Sequence, residues 1–320
     1  MFQEILVPLD ASPLAECALP HAAALAKAFD ANVTLLHVVP ESSSAGQRMP
    51  LDPLDWQVSR AGAESYLDEW VALLQSRGVR SASVLLEGHP PQRILEYAHE
   101  NGIDLIVLST HGKDGLSGWN LGSVAHKTAL RSRVSTLVIR AYRAGPAGLD
   151  EPAYRRVLVP LDGSQRAECA ISPATALAGF VQAELVFAHV VVRPRPYFPR
   201  QGPVPSEDTN FIERLIERQQ GEAQQYFERL KARLPTPART RIVLSDEATV
   251  SLYEVIREEQ ADLVVMSAHG HAGTTRWSHG GATTDFLLYG TAHSLIVQDL
   301  AAHQFELTEA ERAAAEVPGY

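Results

Sequence analysis

The sequence predicts an α/β protein built as two tandem doubly wound domains, each a five-stranded, mainly parallel sheet in the order 3-2-1-4-5. Three observations predict it. First, "ILVPLDASPLAECALPHAAALAKAF" from Ile5 recurs as "VLVPLDGSQRAECAISPATALAGF" from Val157, pairing Asp10 with Asp162, Ser12 with Ser164, Cys17 with Cys169 and His37 with His189 at one constant spacing. Second, short β-branched runs alternate with longer amphipathic stretches in each copy, the pattern of βα units. Third, runs such as "LIVLST" and "LVVMSA" lack the polar alternation of a half-exposed strand, so both faces are expected to be covered by helices.

In the first copy the strands are expected at Glu4 to Leu9, Val33 to Val39, Ala82 to Leu86, Asp104 to Ser109 and Thr136 to Arg140. Helices are expected at Pro13 to Phe29, Leu54 to Arg77, Pro91 to Asn101 and Gly122 to Arg131. Ser12 followed by Pro13 is a helix start: a side-chain cap, then a residue whose missing N–H costs nothing there. The later pairs, Asp104 with Asp262, His111 with His269 and Gly112 with Gly270, lie slightly farther apart. The second copy has therefore gained residues around "RPRPYFPRQGPVPSED", whose prolines suit an irregular connection. The last strand of each copy is short and flanked by polar residues, an edge expected to pair the two domains about a pseudo-twofold axis.

The domains are expected at 1–143 and 154–300, joined by the Gly-, Ala- and Pro-rich "AYRAGPAGLDEPAY". A tail at 301–320 carries "TEAE", a capping-box pattern. The net charge of -10 and pI near 5.6 disfavour nucleic acid and anionic membrane as partners. Two cysteines and an opening "MFQEILVPLD", which begins on a strand, point to a cytoplasmic protein; no apolar run is long enough to span a bilayer.

In such a sheet ligands sit beyond the carboxyl ends of the strands, where the strand order reverses. Asp10, Val38 and Ser109 to Gly112 all fall at those ends. Gly112, nine residues, then Gly122 and Ser123 opening a helix describe a loop that turns sharply and later presents free N–H groups at a helix N-terminus, which suits phosphate. Ser123 can cap that helix or donate to a phosphate oxygen, and Lys113 adds charge. The spacing matches neither a Walker A loop nor a dinucleotide-binding fingerprint; on glycine spacing alone a plain surface loop stays open.

The blocks "ILVPLDASPLAECAL", "VTLLHVV", "EGHPPQRILEYAHENGIDLIVLSTHGKDGLSGWNLGSVA" and "STLVIR" together resemble the universal stress protein family in a tandem two-domain form. In the family's ATP-binding members the pattern is a glycine, two residues, a glycine, nine residues, then Gly-Ser or Gly-Thr. Here Ser109 replaces the first glycine, while Gly112, Gly122 and Ser123 match. The resemblance implies ATP as ligand, with or without Mg2+: Asp10 at the adenine or ribose, Val38 at the adenine, and Gly112, Gly122, Ser123 and Val124 at the phosphates. In the second copy Asp162, Val190, Gly270 and Gly280 are kept, Ser267 again replaces the first glycine, and Gly281 stands where Ser123 stands. That copy reads as degenerate, with Thr283 or Thr284 able to replace the lost hydroxyl only if the helix start shifts.

The resemblance implies stress-related regulation through ATP binding. A nucleotide-independent interaction scaffold of the same fold and an ATP-dependent activating enzyme are the competing readings, with slow hydrolysis and a homodimer of chains left open. His37 and His189 read as core histidines, Cys17 and Cys169 as packing, and His269, His271, His279 and Asp285 match no zinc spacing. "RLIERQQGEAQQYFERLKARL" reads as an amphipathic surface helix with Leu215, Tyr226, Phe227, Leu230 and Leu234 inward.

Overall fold

In the computed structural model, which describes residues 1–39, 53–113, 121–141, 148–150, 152, 154–194, 206–271 and 278–300, the repeat becomes two copies of one βα order. The first comprises β1 (Glu4–Pro8), α1 (Pro13–Glu16), α2 (Leu19–Phe29), β2 (Asn32–Val39), α3 (Pro53–Ser76), β3 (Ser81–Glu87), α4 (Pro90–Glu100), β4 (Leu105–Ser109), α5 (Ser123–Arg131) and β5 (Ser135–Ile139). The second comprises β6 (Arg156–Pro160), a 3-10 turn (Ala167–Ala170), α6 (Ile171–Val181), β7 (Glu184–Val192), α7 (Ser206–Lys231), β8 (Ala238–Ser245), α8 (Ala248–Glu258), β9 (Leu263–Ser267), α9 (Gly281–Tyr289) and β10 (His293–Val297). The expected tail helix from 301 lies outside the described residues, as do parts of the linker and of the inserted proline-rich segment.

The strands form one ten-stranded sheet, β3-β2-β1-β4-β5-β10-β9-β6-β7-β8. Each copy has the order expected from the sequence, and neighbours within a copy are parallel. The two copies meet where β5 pairs antiparallel with β10, Leu137 opposite Leu295. The two strand ends expected to be edges therefore remove each other's unpaired N–H and C=O groups.

Alternate residues of each strand enter opposite layers. Ile5, Val7, Leu105 and Val107 join α2, α3, α6 and α7 on one face, through Leu25, Leu67, Leu177 and Phe227. Leu6, Ile106, Val138 and Ile296 join α4, α5, α8 and α9 on the other, through Ile94, Ala129, Val255 and Phe286. Each layer runs unbroken through both copies. In α7 the inward stripe is real, with Phe227 fully buried.

The helix expected over Pro13 to Phe29 is broken. Ser12 Oγ accepts from the Ala15 N–H at 3.1 Å, as a cap should, but α1 ends at Glu16 and α2 restarts at Leu19. Pro20 has no N–H for the Glu16 carbonyl, so a continuous helix would lose that bond. In the second copy a proline stands one position later, Pro173, and a 3-10 turn precedes α6. The repeated acids serve the strand starts. Asp104 accepts from the Gln3 N–H at 2.7 Å, and Asp262 from the Arg155 and Arg156 N–H groups at 2.7 and 2.9 Å, satisfying the beginning of each copy's first strand.

The seam carries its own polar fittings. Arg140, following β5 and only 7% exposed, donates through Nη2 to the Phe286 and Leu287 carbonyls at 2.7 and 2.9 Å, capping the C-terminus of α9 from the other copy. Gly290 is the C-cap of that helix, and only glycine fits there, since a Cβ would lie 2.5 Å from the Phe286 oxygen.

Candidate functional site

The carboxyl ends of β1, β2 and β4 open on a cavity of about 770 Å³, a size typical of small-molecule sites. Asp10, Val38, Ser109, Gly112, Gly122, Ser123 and Val124, which the sequence points to separately, all line it. Its walls also carry Pro90 and Ile94 from α4, Lys113 beside Asp10, and His126 and Lys127 from α5.

Asp10 organises the loop. Its Oδ1 accepts from the Ser12 N–H at 3.1 Å and its Oδ2 from the Lys113 N–H at 2.7 Å, clasping the residues after β4 to the end of β1. Gly112 lies directly under that carboxylate: a Cβ there would come within 2.0 Å of Oδ2. The glycine is required by close approach of a side chain and has no positive φ to explain it. Farther along, the Gly122 N–H donates to the Thr110 carbonyl at 2.7 Å and closes the loop against the strand end. Ser109, in place of a glycine, turns its hydroxyl onto the His111 carbonyl, so its side chain is absorbed by the loop itself.

Gly122 is the N-cap of α5 and Ser123 its first residue, so Ser123 does not cap the helix as the sequence suggested. It is exposed and on the cavity wall. A helix start without a side-chain cap leaves N–H groups facing the cavity, together with the positive end of the helix dipole. Residues 114–120 of this loop lie outside the described residues.

The second copy keeps the clasp. Asp162 accepts from the Ser164 N–H at 2.9 Å and from the His271 N–H at 2.8 Å, and a Cβ on Gly270 would meet Asp162 Oδ2 at 2.4 Å. Burial alone would raise the Asp162 carboxyl, but the bonds from Ser164 and His271 outweigh it and hold the group below its usual range. The Gly280 N–H donates to the Ala268 carbonyl at 2.8 Å, as Gly122 does to Thr110. Val190 lies near the carboxyl end of β7, in register with Val243.

The chemistry above that clasp differs. The helix start does not shift: α9 begins at Gly281, with no hydroxyl. Thr283 does not replace it, because its Oγ1 donates to the Ser267 carbonyl at 3.0 Å inside the domain. His279 stands where Leu121 stands in the first copy; burial, with the His269 charge second, pushes its ring down to about 4. His269 pairs with Asp299 at 2.7 Å, both almost wholly buried, a partnership no local motif announces. His189, half-buried where a core histidine was expected, bonds the Leu161 carbonyl through Nδ1 at 2.7 Å. His37 is buried at the matching place, its ring pushed below the ordinary value first by burial and then by Lys113.

Comparison with known proteins agrees with this geometry. The family model described as the universal stress protein family matches residues 1–140 and again 153–297. A universal stress protein of Bacillus subtilis is 33% identical over 149 residues, covering 44% of this chain and all of the relative. One from Methanocaldococcus jannaschii is 32% identical over 143 residues, covering 44% of this chain and 83% of the relative. Over the whole length, a putative universal stress protein from Pseudomonas aeruginosa shares the fold, with a TM-score of 0.65 at 17% identity and 98% of each chain covered. No helix among the described residues is long and apolar enough to cross a membrane. Two segments matched by the family model in one chain, each folded in the same strand order and joined through β5 and β10, make this protein a tandem two-domain member of the universal stress protein family.

Proposed function

We propose that the first copy binds ATP and that the chain acts as a cytoplasmic, nucleotide-responsive regulator of the stress response, working by binding rather than catalysis. The observation that carries this reading is the shape and chemistry of the cavity. Its Val38 end is apolar, with Leu36, Pro90 and Ile94 suited to a base; Asp10 and Lys113 lie between; and its far end combines the α5 N-terminus, Ser123 and Lys127. A ligand with a flat apolar head and a polyanionic tail matches that gradient. Mg2+ would arrive with the phosphates, held by them and by Ser123 or bound water. Both Asp10 oxygens already accept backbone N–H groups, which suits an orienting acceptor better than a general base.

The second copy supports a different reading for itself: a nucleotide-independent structural copy. Gly281 removes the hydroxyl, Asp285 stands where Lys127 stands, and Thr283 is committed inward. Calorimetric titration of the full chain with ATP tests both. Gly122→Val places its branch beside the Thr110 carbonyl, which would lie only 3.3 Å from even a first methyl carbon there, and is expected to weaken ATP binding at least about tenfold. Gly280→Val is expected to leave affinity and the one-to-one stoichiometry unchanged. Full ATP affinity in Gly122→Val sinks the assigned site.

A further inference from the structure

The first copy's cavity is walled partly by the second copy. Leu288 and Tyr289, the last residues of α9, line it although they lie across the seam. The antiparallel β5–β10 pairing sets α5 and α9 side by side in opposite directions. The C-terminal turn of α9 therefore reaches the N-terminal half of α5, where Ser123, Val124 and Lys127 line the same cavity.

That turn is fixed in place. Arg140 holds the Phe286 and Leu287 carbonyls, and Gly290 lets the chain leave where any Cβ would also crowd Arg140 Nη2, at 3.2 Å. Arg140 follows β5, the strand beside β4, and β4 carries the Ser109–Gly112 loop. One rigid path thus links the loop of the first copy to the tip of α9. At that tip Tyr289 is 60% exposed, a large aromatic side chain left uncovered at the cavity's rim.

We infer that Tyr289 is a ligand-contacting residue supplied by the second copy to the first, at the phosphate end of the site, with Leu288 packed behind it. This rests on the nucleotide reading above. Sheet order fixes the end: β2, with Val38, lies on the far side of β1 from β4, whereas α9 belongs to the seam side. A phenol there donates its O–H to a phosphate oxygen, and its ring keeps water from the opposite flank of the tail. The degenerate copy then has a use that its own loop does not show: it completes its neighbour's site.

The test compares ATP and AMP affinities of the full chain by calorimetry, in the wild-type protein and in Tyr289→Ala, Tyr289→Phe and Gly122→Val. Tyr289→Ala is expected to lose about five- to tenfold for ATP and less than about twofold for AMP, with Tyr289→Phe between. Because Tyr289 is mostly exposed, the thermal midpoint without ligand should not move. Unchanged ATP affinity in Tyr289→Ala, with affinity lost in Gly122→Val, overturns the shared wall and leaves the nucleotide site standing. Equal losses for ATP and AMP overturn the placement at the phosphate end. A wild-type chain that binds neither nucleotide overturns the nucleotide reading and the wall together.

Discussion

Thr110 and Ala141 in the first copy occupy the places of Ala268 and Asp299 in the second, and the exchange shows how each loop is held. In the first, Thr110 Oγ1 accepts from the Ala141 N–H at 3.0 Å and meets His111 Nδ1 at 3.0 Å. In the second, Asp299 reaches back from beyond the last strand, accepting from the His269 N–H at 3.1 Å and its ring at 2.7 Å, with Arg166 at 3.5 Å from the other oxygen. Both solutions leave the same clasp, Asp10 over Gly112 and Asp162 over Gly270. What diverges is the ligand-facing set, Ser123 against Gly281 and Lys127 against Asp285. The clasp that shapes the loop is therefore kept in both copies, whereas the residues proposed to face a phosphate are kept in the first alone.

The largest effect should come at the seam, where the two copies also present different groups. Arg140 caps α9, whereas its counterpart Gln298 merely bonds the Ser278 carbonyl at 3.2 Å through Nε2. Arg140→Ala takes a buried charged donor from the Leu287 carbonyl and from the Phe286 carbonyl, which keeps only the Gly290 N–H at 3.0 Å, and should cost about 3 kcal/mol; Gln298→Ala should cost less than about 1 kcal/mol. Urea unfolding of the full chain measures both. Equal costs would mean that the seam is symmetric in energy despite its asymmetric chemistry.

Next come the two clasp glycines. A methyl at either position collides with an aspartate, at 2.0 Å for Gly112 and 2.4 Å for Gly270, so Gly112→Ala and Gly270→Ala should each destabilise by about 2 kcal/mol. Only Gly112→Ala should also weaken ATP binding. If Gly270→Ala lowers nucleotide affinity or stoichiometry, the second copy is a working site and the contrast between the copies fails.

Much of this is legible in the sequence because it is periodic or repeated. Strand runs such as "LIVLST", the Ser12–Pro13 cap, and the alignment of Asp10 and Gly112 with Asp162 and Gly270 all point to the observed elements and gather the loop residues at one crevice. What is not legible depends on contacts between distant segments. Nothing near Asp299 signals a partner thirty positions away, nothing in "DFLLYG" says that its tyrosine faces the other copy's cavity, and the Pro20 break emerges only when the preceding carbonyl is counted. Ser123 resembles a cap in the sequence because the glycine before it looks like part of the loop, when that glycine is the cap itself.

The smallest effect is a pH dependence confined to one half of the seam. There the His21 ring bonds the Tyr154 hydroxyl and lies edge-on to His293 at 4.8 Å between centroids, while His293 Nδ1 accepts from the Arg140 N–H at 3.0 Å. In the matching half the repeat places Pro173, Phe2 and Ser135, and Ser135 Oγ accepts from the Gln298 N–H at 3.0 Å. Burial, then the His293 charge, pushes His21 down to about 3; burial, then Arg140, pushes His293 down to about 4, with Asp262 opposing. The unfolded chain takes up protons near the ordinary value of 6.5, and the folded chain does not until far lower. Stability from these rings is therefore complete above 6.5 and is lost as pH falls toward about 4 for His293 and about 3 for His21, by roughly 1 kcal/mol per histidine at about pH 5.5. His293→Ser gives this half of the seam the hydroxyl that already serves the other half. It should keep the Arg140 N–H satisfied and remove about half of the acid loss attributed to the pair. Urea midpoints at about pH 7.5 and 5.5 decide it: an unaltered difference in His293→Ser would place the acid sensitivity elsewhere, with buried His279 the next histidine to replace.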